Sequence, residues 1–199
     1  MKDLEIRVAS NEVVADESRN VEGYAIVFDS PSDGLDWSEV IHRGAVSEET
    51  ILNSDVFAKL NHDDNKVLAR SKYGKGSLVL EVDDKGLRYL FESPKTALGD
   101  ELLEYLKRGD ITASSFAFTI DKSDPEAERW HRENGVLYRD IYKINRLYDV
   151  SPVFQPAFSQ TSVSARGQQM KKTADELEAR YNLILKHINA YLEKHKEDE

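Results

Sequence analysis

The stretch Gly109-Asp110-Ile111-Thr112-Ala113-Ser114-Ser115-Phe116-Ala117-Phe118 decides how the rest of this chain is organised. Apolar and smaller side chains alternate over residues 116–120, which predicts a β-strand with one buried face. The Gly-Asp pair that opens the stretch indicates a turn. Ser114 and Ser115 would therefore lie at or just before the start of the strand, where a rigid backbone can hold a nucleophilic hydroxyl. Most serines in such positions have no chemical role, so a structural interpretation stays open.

Residues 96–108, directly upstream, carry a strong helical pattern. Lys107 and Arg108 suit the negative end of the helix dipole, and Gly109 is a good helix stop. The leucines that recur at helical spacing and predict the buried side of this helix are Leu98, Leu102, Leu103 and Leu106.

Short alternating or apolar runs predict strands through most of the remaining chain. They cover residues 4–8, 21–28, 37–41, 56–60, 67–70, 77–82, 87–92, 136–141 and 144–151. Residues 121–135 are charged and contain Pro125, so we predict a loop there, with His131 exposed in it. Together these elements predict an α+β fold that is mainly antiparallel β: a barrel-like or wrapped sheet with flanking helices.

Composition narrows the functions that this chain could have. The net charge of −10 argues against a general basic surface for nucleic acid, because phosphate neutralisation needs clustered Lys and Arg. The absence of Cys excludes disulfides, thiolate catalysis and Cys-based metal sites. No run approaches the roughly 18 apolar residues of a membrane span. We therefore expect a protein of the cytosol that binds neither nucleic acid nor membrane.

The opening stretch resembles a segment of a known enzyme family. The pattern Gly-Asp-Ile-x-x-x-Ser-Phe-x-Phe at residues 109–118 is similar to the nucleophile segment of the prohead (capsid maturation) serine proteases of tailed phages. The usual form of this segment ends in Ser-Phe-Gly-Phe, so the nucleophile position matches Ser115 and not Ser114. Ala117 replaces the Gly of that form, and Ser114 replaces a residue that is commonly apolar.

Two further segments match the same family in the expected order. Asn61-His62-Asp63 resembles the segment with the catalytic His, and residues 147–153 with Pro156-Ala157-Phe158 resemble its acidic, Val-Ser-Pro-Val and Pro-Ala block. The likeness runs from about Val21 to Thr161. Each motif alone is weak, but three in order over that span are fairly specific.

The resemblance implies a catalytic triad in which Ser115 is the nucleophile, His62 the general base and Asp149 the acidic partner of His62. The family position of Asp149 is often Glu, and in the related herpesvirus assembly proteases the third member is a His. Structural explanations remain for each residue: His62 as a surface residue after a strand, and Asp149 as a cap for the turn before Ser151. The sequence does not identify the oxyanion donors, which could be backbone amides near Ser115 or an Arg.

The resemblance also implies a herpesvirus-protease-like fold and endoproteolysis during phage head maturation. The substrates would be the major capsid protein, scaffold segments and the enzyme itself, cleaved inside the immature head in the cytoplasm of a bacterial host. If the enzyme is encoded by a prophage, its location would be the host cytoplasm. No cofactor, metal or nucleotide is implied. Two alternatives stay open: a non-enzymatic capsid assembly or scaffold protein that keeps a protease-like domain, and a general β-rich binding module.

The end of the chain differs in kind from the rest, which suggests a protease domain at residues 1–166 and a helical tail at 167–199. From Met170 onward there is no Gly or Pro, and apolar residues follow a heptad pattern over about three heptads. They are Ala174, Leu177, Tyr181, Ile184, Ile188 and Tyr191, and His195 continues the same spacing. Such a C-terminal amphipathic helix could mediate self-association or scaffold docking, or it could pack on its own domain.

Overall fold

The computed structural model describes residues 3–9, 13–16, 18–32 and 37–154, and within them it contains thirteen β-strands and two α-helices. The strands, in chain order, are β1 (Glu5–Ala9), β2 (Val14–Ala15), β3 (Asn20–Val27), β4 (Ser38–Ile41), β5 (Asp55–Lys59), β6 (Val67–Lys72), β7 (Lys75–Gly76), β8 (Leu78–Val82), β9 (Gly86–Glu92), β10 (Ile111–Thr119), β11 (Glu128–Glu133), β12 (Val136–Ile141) and β13 (Arg146–Phe154). The helices are α1 (Glu48–Leu52) and α2 (Ala97–Arg108). Neither described helix has the length and apolar run that a bilayer crossing requires.

The strands form three sheets. The largest has the order β1-β10-β13-β5-β6-β7, a second has the order β2-β3-β9-β8, and a third has the order β11-β12-β4. All strand pairs are antiparallel except β12 with β4 and β13 with β5. The predicted mainly antiparallel β class is therefore confirmed. The barrel-like closure is wrong for the described residues, because β1 and β7 remain unpaired edges at opposite ends of the six-stranded sheet.

The core lies where the four-stranded sheet packs on the six-stranded sheet. Tyr89 of β9 has no exposed surface, and its hydroxyl lies 2.9 Å from Ser114 Oγ of β10. Gly23 of β3 sits against both residues, since a Cβ atom there would come within 2.7 Å of the Tyr89 hydroxyl and 2.9 Å of Ser114 Oγ. Close approach of the two sheets is the reason that this strand position is a glycine.

Local capping signals set the ends of both helices, and α2 lies where the sequence predicts a helix. Ser47 caps α1 by accepting from the Thr50 N–H, and the Thr50 hydroxyl oxygen accepts from the Ser47 N–H. Thr96 caps α2, which ends at Gly109 in the left-handed conformation with φ 75°. This glycine ends the helix just before β10 begins.

Strand β10 differs from its prediction in two ways. It is buried on both faces from residue 113 to residue 118, not on one face. One face packs on Tyr89, and the other is covered where His62 reaches over it. Ser114 and Ser115 also lie near the middle of the strand and not at its start, because β10 already begins at Ile111.

Two other predictions fail downstream of β10. Residues 128–133 form β11 and pair with β12, where the sequence predicts a loop. The side chains of β11 are all half-buried or exposed. The strand therefore lacks the apolar alternation from which the sequence could predict it. His131 is consequently a half-buried strand residue stacked on Tyr138. Strand β13 also continues beyond its predicted end at residue 151 and includes Pro152. A proline has no backbone N–H to donate, but β5 pairs with β13 only at Asp149, so no hydrogen bond to β5 is needed at Pro152.

A buried group of charges, here called the arginine–glutamate cluster, joins β1 to the three-stranded sheet. Its members are Glu5, Arg7, Glu39, Glu128 and Arg139. Arg7 Nε lies 2.5 Å from a Glu39 oxygen, and Arg139 binds both oxygens of Glu5. Arg139 is only 1% exposed. Removing one partner of a buried ion pair is destabilising, so we expect each of these contacts to help hold β1 against the three-stranded sheet.

The predicted tail at residues 167–199, with its domain boundary and its heptad pattern, lies outside the described residues.

The arginine–glutamate cluster predicts how the stability of the fold depends on pH. Burial alone would raise the pKa of Glu5, but hydrogen bonds and charge from Arg139 and Arg7 hold that pKa below its usual value of 4.5. The stabilisation by Glu5 is therefore fully present above about pH 4.5, and it is lost as the pH falls through the lower pKa of the folded state.

We expect Glu5→Gln to lower the free energy of unfolding by about 2 kcal/mol at pH 7, because it weakens charge-assisted hydrogen bonds. Urea unfolding of both proteins at pH 7 and at pH values below 4.5 measures this. The gap between them should shrink on acidification. A gap that is constant with pH would show that the Glu5 carboxylate does not gain stability from its ionisation in the fold.

Candidate active site

His62 lies on a tight turn that directly follows β5. Residues Leu60–His62 form a short 3-10 segment, and the Asp63 N–H donates to the Leu60 carbonyl at 3.1 Å. Asn61 and His62 both have left-handed φ angles, 53° and 61°. Two consecutive non-glycine residues in this region are uncommon, and such strain is concentrated at functional sites.

The turn brings the His62 imidazole to Ser115 in β10. Nε2 of His62 lies 2.5 Å from Ser115 Oγ, which is hydrogen-bond distance. Ser115 Oγ also lies 2.7 Å from the carbonyl oxygen of Arg7 in β1, to which it can donate. Because a hydroxyl carries one proton, His62 Nε2 and the Arg7 carbonyl are alternative acceptors for it. Only donation to His62 prepares Ser115 as a nucleophile.

Asp149 comes from β13, the strand next to β10. In the antiparallel pairing Ser115 is opposite Ser151, and Ala117 is opposite Asp149. Residues two apart on a strand share a face, so Asp149 lies on the same face of the sheet as Ser115. Asp149 Oδ1 is 3.2 Å from His62 Nδ1. This is ion-pair distance, although Nδ1 does not reach the geometry of a hydrogen bond.

The structure therefore brings together the three residues that the sequence singled out. They come from three parts of one sheet: β10 carries Ser115, the neighbouring β13 carries Asp149, and the turn after β5 carries His62. His62 and Ser115 are not on neighbouring strands, since β13 separates β10 from β5. The imidazole reaches across the face of β13 and touches both partners.

The acidic residues that follow His62 in the sequence have other roles. Asp63 accepts from the Asn65 N–H within the turn, and Asp64 lies 2.7 Å from Lys59 Nζ. Lys59 Nζ is also 3.2 Å from Asp149 Oδ2. Burial alone would lower the pKa of Lys59, but the hydrogen bond to Asp64 and the charge of Asp149 raise it. Lys59 is a site residue that no motif indicates.

The two adjacent serines face opposite sides of the sheet. Ser115 points to His62, whereas Ser114 points into the core and lies against the Tyr89 hydroxyl. Burial raises the pKa of Tyr89. Both serines have no exposed surface. Strand alternation alone separates the serine that meets an imidazole from the serine that fills the sheet interface.

The remaining described histidines that carry ion pairs lie on another part of the molecule. Asp140 of β12 accepts contacts from His42 Nε2 at 2.7 Å and from His131 Nδ1 at 3.2 Å. His42 stacks on Tyr142, and its Nδ1 is 3.2 Å from Asp29. This arrangement holds β12 to the loop after β4 and contains no nucleophile.

Comparisons with known proteins give a family match and a structural match. A family model described as caudovirus prohead serine protease matches residues 4–176. The structure of the bacteriophage T4 capsid assembly protease gp21 aligns with a TM-score of 0.53 and 11% sequence identity, covering 77% of this chain and 98% of the T4 chain. At that identity the structural match shows a shared fold alone. No curated protein sequence matches the chain.

The left-handed turn predicts an order of stability between two substitutions of His62. Both His62→Ala and His62→Gly remove the imidazole, but only glycine adopts φ 61° without a steric penalty. We expect the glycine variant to unfold at higher urea concentration, with a free energy of unfolding about 1 kcal/mol above that of the alanine variant.

Val79 of β8 supplies the control for this comparison. It is exposed and extended in a strand, so Val79→Gly should be less stable than Val79→Ala. If the alanine variant is more stable than the glycine variant at both positions, the turn holds no backbone strain at His62.

Proposed function

The chain belongs to the caudovirus prohead serine protease family and is a serine protease of phage head maturation, and we propose that Ser115, His62 and Asp149 are its catalytic triad. The observation that carries this assignment is the 2.5 Å contact between His62 Nε2 and Ser115 Oγ, with a buried carboxylate on the other side of the imidazole. The non-enzymatic alternative has no need of that contact.

In the proposed mechanism Ser115 Oγ attacks the carbonyl carbon of the scissile peptide bond, and its proton moves to His62 Nε2. Asp149 faces Nδ1 and stabilises the imidazolium that forms. The imidazolium then gives its proton to the leaving amine, which departs and leaves an acyl group on Ser115. Water attacks this ester with His62 again as the base, and the acid product is released.

The closed environment of Ser115 sets a condition on substrate entry. Ser115 has no exposed surface, and Oγ is shared between His62 and the Arg7 carbonyl. A peptide carbonyl can approach Oγ only after one of the covering elements moves. Activity therefore requires a rearrangement around β1 or around the turn that carries His62.

We propose that the substrates are extended segments of the major capsid protein and of the scaffold, and segments of this chain itself. Family membership supports this assignment. The site of action would be the interior of the immature head in the cytoplasm of a bacterial host. No nucleic acid, membrane or cofactor has a role in the proposed reaction.

The triad assignment is tested with the two adjacent serines as a matched pair. Ser115→Ala should lower the rate of cleavage of the co-expressed capsid protein by about a thousandfold or more, because the nucleophile is lost. Ser114→Ala should keep most of the activity. It should unfold more easily, since it leaves the buried Tyr89 hydroxyl without its partner. Mass spectrometry of the capsid protein over time measures cleavage.

Circular dichroism of both serine variants checks that each is folded. Equal loss of activity from two folded variants, or loss from Ser114→Ala alone, would overturn the assignment of Ser115.

We further propose that the tail at residues 167–199 mediates self-association, on the basis of its heptad pattern. A chain that ends at residue 169 should then have a lower molar mass per particle in light scattering than the full chain. It should keep its reactivity at Ser115. A truncated chain with the oligomeric state of the full chain would rule out this role for the tail.

A further inference from the structure

Asp149 makes more contacts than its role beside His62 requires. It is 2% exposed, and each of its two carboxylate oxygens has a separate partner from the protein. Ser151 Oγ donates to Oδ1, the same oxygen that faces His62 Nδ1. Lys59 Nζ lies 3.2 Å from Oδ2. The carboxylate is therefore held at both ends.

The proton of Ser151 is directed to Asp149 by a third group. The backbone N–H of Lys59 donates to Ser151 Oγ at 3.1 Å. With its oxygen accepting from Lys59, the hydroxyl has its proton free to donate to Asp149 Oδ1. Ser151 has no exposed surface, so water does not compete for these bonds.

Both anchors of Asp149 involve Lys59, through its backbone and through its ammonium group. Lys59 is the last residue of β5, three positions before His62, and it starts the turn that carries the imidazole. Strand β5 meets β13 in the ladder only at Asp149. Beyond that point the side-chain contacts of Lys59 and Ser151 replace backbone pairing. These contacts connect β13, which carries Asp149, to the turn that carries His62.

We propose that Ser151 and Lys59 are positioning residues that hold the Asp149 carboxylate with Oδ1 toward His62 Nδ1. The proposal rests on the triad assignment above. A carboxylate free to rotate about its side-chain bonds would turn away from a partner that it meets at 3.2 Å without a full hydrogen bond. Hydrogen-bonded supports of this kind commonly fix the orientation of groups that act directly.

Lys59 has a positioning role here and not the role of the base. Its ammonium group lies between the carboxylates of Asp149 and Asp64. Burial lowers the pKa of Lys59, but the two carboxylates raise it by more, so the net shift is upward. A lysine that remains protonated cannot accept the proton of Ser115. His62 Nε2 is the nitrogen that lies against Oγ.

The test compares Ser151→Ala with a matched control. Ser54 is also buried, and it also bridges to β13, because its Oγ donates to the Thr50 carbonyl and accepts from the Leu147 N–H. Ser151→Ala should lower kcat by about 10- to 100-fold with KM changed less than about twofold. Ser54→Ala should lose stability to a similar degree but keep its kcat.

Lys59→Met is a second variant that keeps the length of the side chain and its backbone N–H. The Lys59 side chain is partly exposed, so this variant should fold even if the Ser151→Ala variant, altered at a buried position, does not. We expect a fall of about tenfold in kcat, because Oδ2 of Asp149 loses its cation. Reactivity of Ser115 with a fluorophosphonate provides a measurement that needs no peptide substrate, and its rate should fall in parallel with kcat.

A double-mutant cycle separates positioning from a general effect on structure. In the full-length protein, Asp149→Ala should lower kcat by more than either single variant. Adding Ser151→Ala or Lys59→Met to Asp149→Ala should then have no further effect. Independent, multiplying losses of kcat would overturn the proposal, as would wild-type kcat in both single variants.

Failure of the triad assignment would look different in the same experiment. If Asp149→Ala keeps wild-type kcat, Asp149 is not the third triad member, and the positioning proposal fails with it. If Asp149→Ala loses activity while Ser151→Ala and Lys59→Met do not, the triad stands and the positioning proposal alone is wrong.

Discussion

The pairing of β10 with β13 is the constraint on which the candidate site depends. It places Ser115 opposite Ser151 and Ala117 opposite Asp149, so the nucleophile and the acid share one face of the six-stranded sheet. A slip of one residue would turn Ser115 into the sheet interface and leave Ser114 in its place. The Tyr89 hydroxyl and Gly23 oppose that slip, because they fit closely around Ser114.

The arginine–glutamate cluster and the site meet at β1. Glu5 and Arg7 hold this edge strand to the three-stranded sheet, and the Arg7 carbonyl lies on Ser115 Oγ. The guanidinium of Arg7 is bound by Glu5 and Glu39. A strand with so many buried ionic contacts is a firm neighbour for the nucleophile. Stability at the edge of the sheet and access to Ser115 are thus linked through one short strand.

The candidate site combines residues on paired strands with one residue on a strained turn. Ser115, Asp149 and Ser151 lie on the paired strands β10 and β13, whereas His62 lies on a turn with two left-handed residues. The strands hold the nucleophile and the acid in register. The turn projects the base over β13, where Nε2 of the imidazole meets Ser115 and Nδ1 faces Asp149.

By itself the sequence determined the class of fold and most of the element positions, because apolar periodicity and the glycine stop of α2 at Gly109 are local signals. Its motifs also pointed to His62, Ser115 and Asp149 as residues of one site. Only the tertiary structure decided the second buried face of β10, the strand β11 and the contacts of Lys59 and Ser151 with Asp149. The physical reason is that burial and side-chain pairing depend on strands far apart in the chain. Such partners leave no periodic pattern in the residues between them.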